Sequence, residues 1–432
     1  MVLEAPRGMD DLLPREMALK RMIEEAIREV FKLYGYLEVE TPTIEYYELF
    51  AAKSGEEIRE RMFDFKDKAG RRLVLRPEVT ASIARLVSTK LKMAAPPLRL
   101  GYIADCYRYD EPQWGRRRRF WQGGFELLGS SSPLADAEIM QVSYEVFMKI
   151  GLKDHYFKVG HVGIMRTLLE SYGADERVQD RILTMLDRGM KDEAISLMKQ
   201  VGVNDDGIDA VKRLMEIGGE DLKKVFSKAS DILSSWDRSR RCLENLIEII
   251  ELAREGGVES RIIVSPALAR GLEYYTGFIF EQGVPDLQIS LNGGGRYDKL
   301  VELFGGKPTP AVGCAIGISR IMQYMLDKEL KVPEPMRPKT LLVGIPNVSK
   351  SYLIKVSKVL RELEIPIELE LSGKRLPKAI DYALKNGMRF LVIVGEREEV
   401  EERIAIRDLE AREQVEIPLS EHSKIKEVLS RS

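Results

Sequence analysis

The sequence is poor in the residues that build most disulfide and metal chemistry. Its 432 residues include three cysteines (Cys106, Cys242, Cys314) and three histidines (His155, His161, His422). The cysteines stand apart, with no CxxC spacing, which excludes a disulfide framework and a cysteine-bound zinc and points to a reducing, cytosolic setting. Three scattered histidines are little material for a zinc hydrolase or a His-centred triad, so no metal-ligating set is expected. No run approaches eighteen uninterrupted apolar residues, and the start lacks a basic-then-apolar leader, so neither a membrane span nor secretion is expected. The GxxxxGK[ST] and GxGxxG spacings are missing, which excludes P-loop and Rossmann phosphate sites. Charge of either sign is also missing in the sum: 67 Lys and Arg against 69 Asp and Glu leave −2. A protein that coats nucleic acid nonspecifically would be far more basic, so any polynucleotide must be met by local patches.

What is present is the composition of a folded chain, 44% hydrophobic and 31% charged, and too long for one ordinary core. After an opening loop, Met22, Ile23, Ala26, Ile27, Val30 and Phe31 recur at helical spacing in a helix of about seventeen residues that stops at Gly35. Residues 36–44 read as one extended strand interrupted by Pro42, which belongs at an edge or bend and suggests a subunit boundary. Residues 73–75 read as a strand, and Thr80 is expected to cap a helix. Helical periodicity dominates from about 164 to 256, an insertion, because β-type sequence resumes at 261–264. Residues 268–281 and 287–291 read as strands, 293–295 as a glycine turn, and 312–316 as a strand entering a helix at Ile318. Interleaved strands and hairpins with peripheral helices predict an antiparallel α+β core. A proline-rich linker at 331–338 then leads to alternating strands and helices, a parallel or mixed α/β domain over 339–432.

The densest chemistry lies in 108–126, two aromatic-rich arms around a Pro/Gly turn crowded with arginine, which reads as a β-hairpin with a cationic tip. Residues two apart on a strand share a face, so Arg108 with Asp110, and Phe120 with Gln122, Gly124 and Glu126, can form one wall. A cation, an aromatic plate and a carboxylate suit a phosphate, a flat base and an amino group; the alternative is a solvated hairpin. Arg270 stands beside glycine and two adjacent tyrosines, Tyr274 and Tyr275, whose rings must point to opposite faces, one to the core and one to a pocket, or both to packing. Gly293–Gly295 brings backbone close either to a ligand or to another strand. Arg320, in the first turn of a helix, implies a nearby anion unless it is merely exposed.

In this order, these segments resemble the class II aminoacyl-tRNA synthetases and, within them, the histidyl-tRNA synthetase family. Residues 36–44 with Pro42 look like the dimer-building first motif, 108–126 like the ATP-holding second, and 313–320 like the third. The histidine-specific resemblance lies in 268–275, in 293–298 and in the Arg-Pro-Glu-Val-Thr run at 76–80. Val79, Glu111 and Trp121 depart from it, standing where many members have glycine, arginine and histidine. The resemblance implies a catalytic domain over 1–330, an anticodon-binding domain over 339–432, and a homodimer. It also implies the activity: ATP-dependent ligation of L-histidine to tRNA(His) through histidyl-adenylate, releasing AMP and pyrophosphate, with Mg2+ accompanying the ATP.

Carried over by position, the histidine pocket comprises Glu78, Thr80, Arg108, Gln122, Glu126, Arg270, Tyr274 and Tyr275, with Glu78 and Thr80 receiving the α-ammonium. ATP falls to Arg108, Asp110, Arg116, Phe120 and Arg320, with Phe120 stacking on adenine and Arg116 and Arg320 on the distal phosphates. Arg270 and Arg108 are the implied catalytic pair at the α-phosphorus. An imidazole has two ring nitrogens to satisfy, which carboxylate, amide and phenol groups can do and an apolar pocket cannot. Two rivals differ in class: a paralogue that senses histidine without charging tRNA, and a class II enzyme for threonine, proline or glycine.

Overall fold

Pro14 opens the first helix because its fixed φ and missing N–H suit a first turn. Helix Pro14–Tyr34 buries Leu19, Ile23, Ala26, Ile27, Val30 and Phe31 on one stripe and ends at Gly35, whose φ of 73° is left-handed. At 21 residues it is longer than its apolar stripe alone implied. The computed structural model describes residues 3–52, 59–268, 274–330 and 332–430. The chain forms two compact units, Met1–Pro333 and Glu334–Ser432.

The first unit is built on an eight-stranded sheet, in the order Leu37–Glu38, Leu98–Tyr107, Arg119–Leu128, Ala311–Gly317, Asn292–Arg296, Phe278–Gly283, Tyr156–His161, Arg261–Val264. Only the two outermost pairings are parallel; the five between them are antiparallel. The backbone at 36–44 is not one strand. Leu37–Glu38 pairs with Leu100–Gly101 at the edge of this sheet, while Ile44–Tyr46 joins a separate three-stranded sheet with Arg72–Leu75 and Phe63–Lys66. Pro42 lies between them, where a missing N–H costs no ladder bond.

Two further expectations are corrected around the glycines. Residues 287–291 form no strand, and 293–295 is no turn: Asn292–Arg296 is a buried strand near the middle of the sheet. Glycine is required there by close approach. A Cβ on Gly294 would meet the Gly313 carbonyl and Cys314, and one on Gly295 the Phe278 carbonyl.

One face of the sheet is covered by the first helix and by Pro133–Lys149, with Phe125, Val312, Cys314, Ile316, Phe278 and Phe280 packed against Ile23, Ile27, Met140 and Phe147. Gly101 and Gly123 leave room on that face for Phe31 and Ile27. Six helices lie between Val162 and Glu255 and share a core that includes Ile164, Leu168, Ile182, Met198 and Leu214. Asp175, Asn204 and Asp221 begin three of them, each accepting a hydrogen bond from a first-turn N–H.

The second unit is a mixed sheet ordered Ile367–Leu369, Thr340–Gly344, Phe390–Val394, Arg403–Asp408, Glu413–Pro418, parallel across the first three strands and antiparallel beyond. Helices Lys350–Glu362 and Leu376–Lys385 make the crossovers that parallel pairing demands.

Candidate active site

The open face of the large sheet is hollow because small residues line up across it. Register places Gln122, Gly124 and Glu126 beside Gly317, Ala315 and Gly313, and the last two beside Gly293 and Gly295. Directly paired residues share a face, so this run removes side-chain volume from the middle of one surface. A Cβ on Gly124 would meet the Tyr102 ring, and one on Gly313 the Glu126 carboxylate. Above the gap lies a cavity of about 720 Å³, bordered by Glu78, Thr80, Arg108, Asp110, Arg116, Phe120, Gln122, Tyr274, Tyr275 and Arg320. Ten of the predicted positions thus converge from loops, strands and helix starts more than two hundred residues apart.

Glu126 is the exception, lying beneath the floor and fully buried. One of its oxygens accepts from Thr80 Oγ1 at 2.7 Å and the other from the Tyr297 hydroxyl. Thr80 therefore does not cap its helix. Thr89 ends and Thr80 begins that helix, and the Glu78 carboxylate takes the Ala81 N–H at 3.0 Å instead. Burial raises the Glu126 carboxyl to about 8; the Tyr297 and Thr80 hydrogen bonds oppose this and the Glu78 charge adds to it. Burial also raises Glu78, against the Ala81 N–H and the Arg108 charge.

The expected hairpin is present, paired from Leu98↔Leu128 to Tyr107↔Arg119. Arg108 and Asp110 lie just beyond the strand, in the connecting loop, yet both border the cavity. Arg108 Nε donates to the Pro77 carbonyl at 2.9 Å, and its guanidinium sits 5.2 Å from the Phe120 ring centroid. Gln122 Oε1 accepts from Cys106 Sγ at 3.3 Å. Asp110 pairs with Arg61 at 3.3 Å. Near the tip, Arg117 pairs with Asp10 at 3.2 Å and Arg119 with Asp105 at 3.1 Å, and both side chains stay partly exposed. The tip itself docks on helix Ile318–Asp327, through Trp114 Nε1 to Asp327 Oδ2 at 2.6 Å, Gly115 N to Gln323 Oε1 at 3.1 Å and Arg320 Nε to the Gly115 carbonyl at 2.9 Å.

Tyr274 and Tyr275 both border the cavity while packing on each other, with ring centroids 4.9 Å apart. Tyr274 also meets Tyr297 edge-on at 5.9 Å. Arg270 lies outside the described residues. Tyr102, Asn292 and Tyr297 also border the cavity and were not singled out as site residues. Tyr102 is an aromatic inside a strand and Tyr297 one just past a strand end, both buried as core aromatics are; only the neighbouring glycines hint at a hollow.

A mostly antiparallel sheet, backed by helices on one face and hollowed by glycines on the other, is the architecture of a class II aminoacyl-tRNA synthetase. The fold is similar to the crystal structure of histidyl-tRNA synthetase from a Nostoc species, with a TM-score of 0.77 over 100% of this chain and 99% of that one at 23% identity. Residues 8–321 match the family model for histidyl-tRNA synthetase, and 341–427 that for an anticodon binding domain. Histidine–tRNA ligases of Pyrococcus horikoshii (39% identity, 100% of each chain) and Thermococcus kodakarensis (38%, 96% of each) are among its relatives. The chain belongs to the histidyl-tRNA synthetase family.

Proposed function

We propose that the cavity joins L-histidine to ATP, giving histidyl-adenylate and pyrophosphate, and that the acyl group then passes to the terminal ribose hydroxyl of tRNA(His) with release of AMP. The observation that carries this is the pair of chemistries that meet at the cavity's border. It carries carboxylate, hydroxyl, amide and phenol groups (Glu78, Thr80, Gln122, Tyr274, Tyr275) together with guanidinium groups and an aromatic ring (Arg108, Arg116, Arg320, Phe120). The first set suits an amino acid with an ammonium and two ring nitrogens, the second a nucleotide.

In this scheme Glu78 and Thr80 hold the α-ammonium, and Glu126 acts from beneath the floor through Thr80 and Tyr297. Phe120 stacks on adenine beside Arg108, Arg116 and Arg320 hold the distal phosphates, and Asp110 orients Arg61 at the cavity rim. Negative charge grows at the α-phosphorus during in-line attack, and Arg108 with Arg270 opposes it most in the transition state. Mg2+ enters with ATP as part of that substrate. The second unit receives the anticodon, and the chain works as a cytosolic homodimer. Exposed Leu37, Ile44 and Tyr46 flanking Pro42 support the dimer, and sedimentation at low concentration tests it.

Amino-acid-dependent ATP–pyrophosphate exchange tests the whole proposal. Histidine alone should support exchange; exchange with threonine, proline or glycine, or with none, refutes it.

A further inference from the structure

We propose that Tyr102 is a substrate-binding residue whose hydroxyl oxygen accepts a hydrogen bond from the α-ammonium of the bound amino acid. This rests on the site being an amino-acid pocket, as proposed above, and adds a contact that the family signatures did not supply.

Tyr102 lies mid-strand, paired across from Gly124, and its ring fills the space that any side chain at 124 would take. The residue is 2% exposed and borders the cavity. Its hydroxyl has no hydrogen-bond partner among the described residues. A buried hydroxyl left unpaired costs free energy in the empty protein, so its persistence calls for a partner that arrives later. The groups around it are already engaged. Glu126 accepts from Thr80 and Tyr297, Glu78 from the Ala81 N–H, and Gln122 from Cys106. Among the described residues the hydroxyl is thus a buried polar group at the cavity's border that lacks a partner.

The chemistry of its partner follows from charge. Burial, then Glu126, and more weakly Glu78, hold the phenol far above its ordinary value, so it stays neutral. Glu78 disfavours a carboxylate or phosphate here and favours a cationic N–H donor, and Glu126, raised to about 8, adds to this only once it is deprotonated. The α-ammonium is the one cation that every amino-acid substrate carries, and Thr80 and Glu78, assigned to it above, border the same cavity.

The test is Tyr102→Phe, which keeps the ring and removes only the hydroxyl. The KM for histidine in pyrophosphate exchange should rise roughly ten- to a hundredfold, the range for a hydrogen bond to a charged group, with the KM for ATP unchanged. Competition by 3-(imidazol-4-yl)propionate, which is histidine without its α-amino group, should have the same inhibition constant in parent and variant. The variant's melting temperature should equal or exceed the parent's, because an unpaired polar group is gone. An unchanged KM for histidine overturns the proposal. An equal loss for histidine and the deaminated analogue also overturns it, by placing the hydroxyl on the ring. A loss of affinity that tracks a lower melting temperature overturns it as a structural effect. If the parent is silent with histidine but active with another amino acid, only the substrate assignment fails, and the same variant then tests the ammonium of that amino acid.

Discussion

Replacing Glu126 by glutamine should make the pH dependence of stability shallower. In the fold this carboxyl is raised from 4.5 to about 8, chiefly by burial. Between those values the folded chain holds a proton that the unfolded chain has released. Stability from this group is therefore fully present below 4.5 and is lost as pH rises toward 8. Each pH unit in that window is worth about 1.4 kcal/mol, and allowing for half-titration at the upper end, the loss from about pH 5.5 to 8 is about 3 kcal/mol. Glutamine has nearly the same shape, still accepts from Thr80 through its oxygen, and can donate to the Tyr297 hydroxyl, so the packing of a fully buried residue survives. Urea denaturation of parent and variant at both pH values isolates the term, because every other titrating group is common to the two. The variant should gain about 3 kcal/mol relative to the parent on going from the lower to the higher pH. A relative gain below about 1 kcal/mol would show that the Thr80 and Tyr297 hydrogen bonds, not burial, control this carboxylate.

Arg270→Ala should leave histidine binding largely intact and lower adenylate formation by roughly two or more orders of magnitude, the effect of removing one transition-state charge partner; unchanged pyrophosphate exchange would sink its catalytic role. Asp136→Ala should cost about 3–5 kcal/mol in chemical denaturation, because it strands a buried guanidinium. Arg296 donates to Asp136 at 3.0 and 2.6 Å, and its remaining bonds to Ser130 O and Asp298 place the cost toward the low end. Trp114→Phe removes the 2.6 Å bond that docks the loop tip on Asp327. The KM for ATP should rise roughly three- to tenfold, in keeping with a solvent-accessible hydrogen bond to a charged group, while the KM for histidine stays put.

Strand alternation made Phe120, Gln122, Gly124 and Glu126 legible as one face, and the register bears this out. It could not say how deep each residue sits: Glu126 lies below the floor because Gly313, nearly two hundred residues later, leaves room for its carboxylate. The errors share that long-range origin. Thr80 has the chemistry of a helix cap, but its hydroxyl finds a better acceptor in Glu126. Arg117 stays partly exposed while pairing with Asp10 from the opening loop, a partner that nothing local in sequence reveals. Three consecutive glycines read locally as a turn, and only the neighbouring strands explain why they form a strand instead. Tyr102 and Tyr297 are buried like core aromatics, and nothing adjacent in sequence reveals that the Tyr297 hydroxyl serves Glu126 while that of Tyr102 stays unpaired.

Glycine does opposite work on the two faces of this sheet, and the difference explains where the site can be. Toward the helices, Gly101 and Gly123 admit Phe31 and Ile27, so the missing side chains are replaced by others and the packing is dense. On the open face, Gly124 and Gly313 admit Tyr102 and Glu126, both polar-tipped, while Gly293 and Gly317 border the cavity itself. Toward its margins that same face packs Leu100, Leu128 and Ala311 with Val79, Ile83 and Leu300 in an ordinary apolar cluster. The hollow is thus bounded by core on the same surface, which keeps Glu78, Glu126 and Tyr102 in a low-dielectric setting rather than an open groove. A carboxylate there is costly when bare and strongly attractive to an ammonium, so the burial that raises Glu78 and Glu126 in the empty protein also readies the pocket for a cationic substrate.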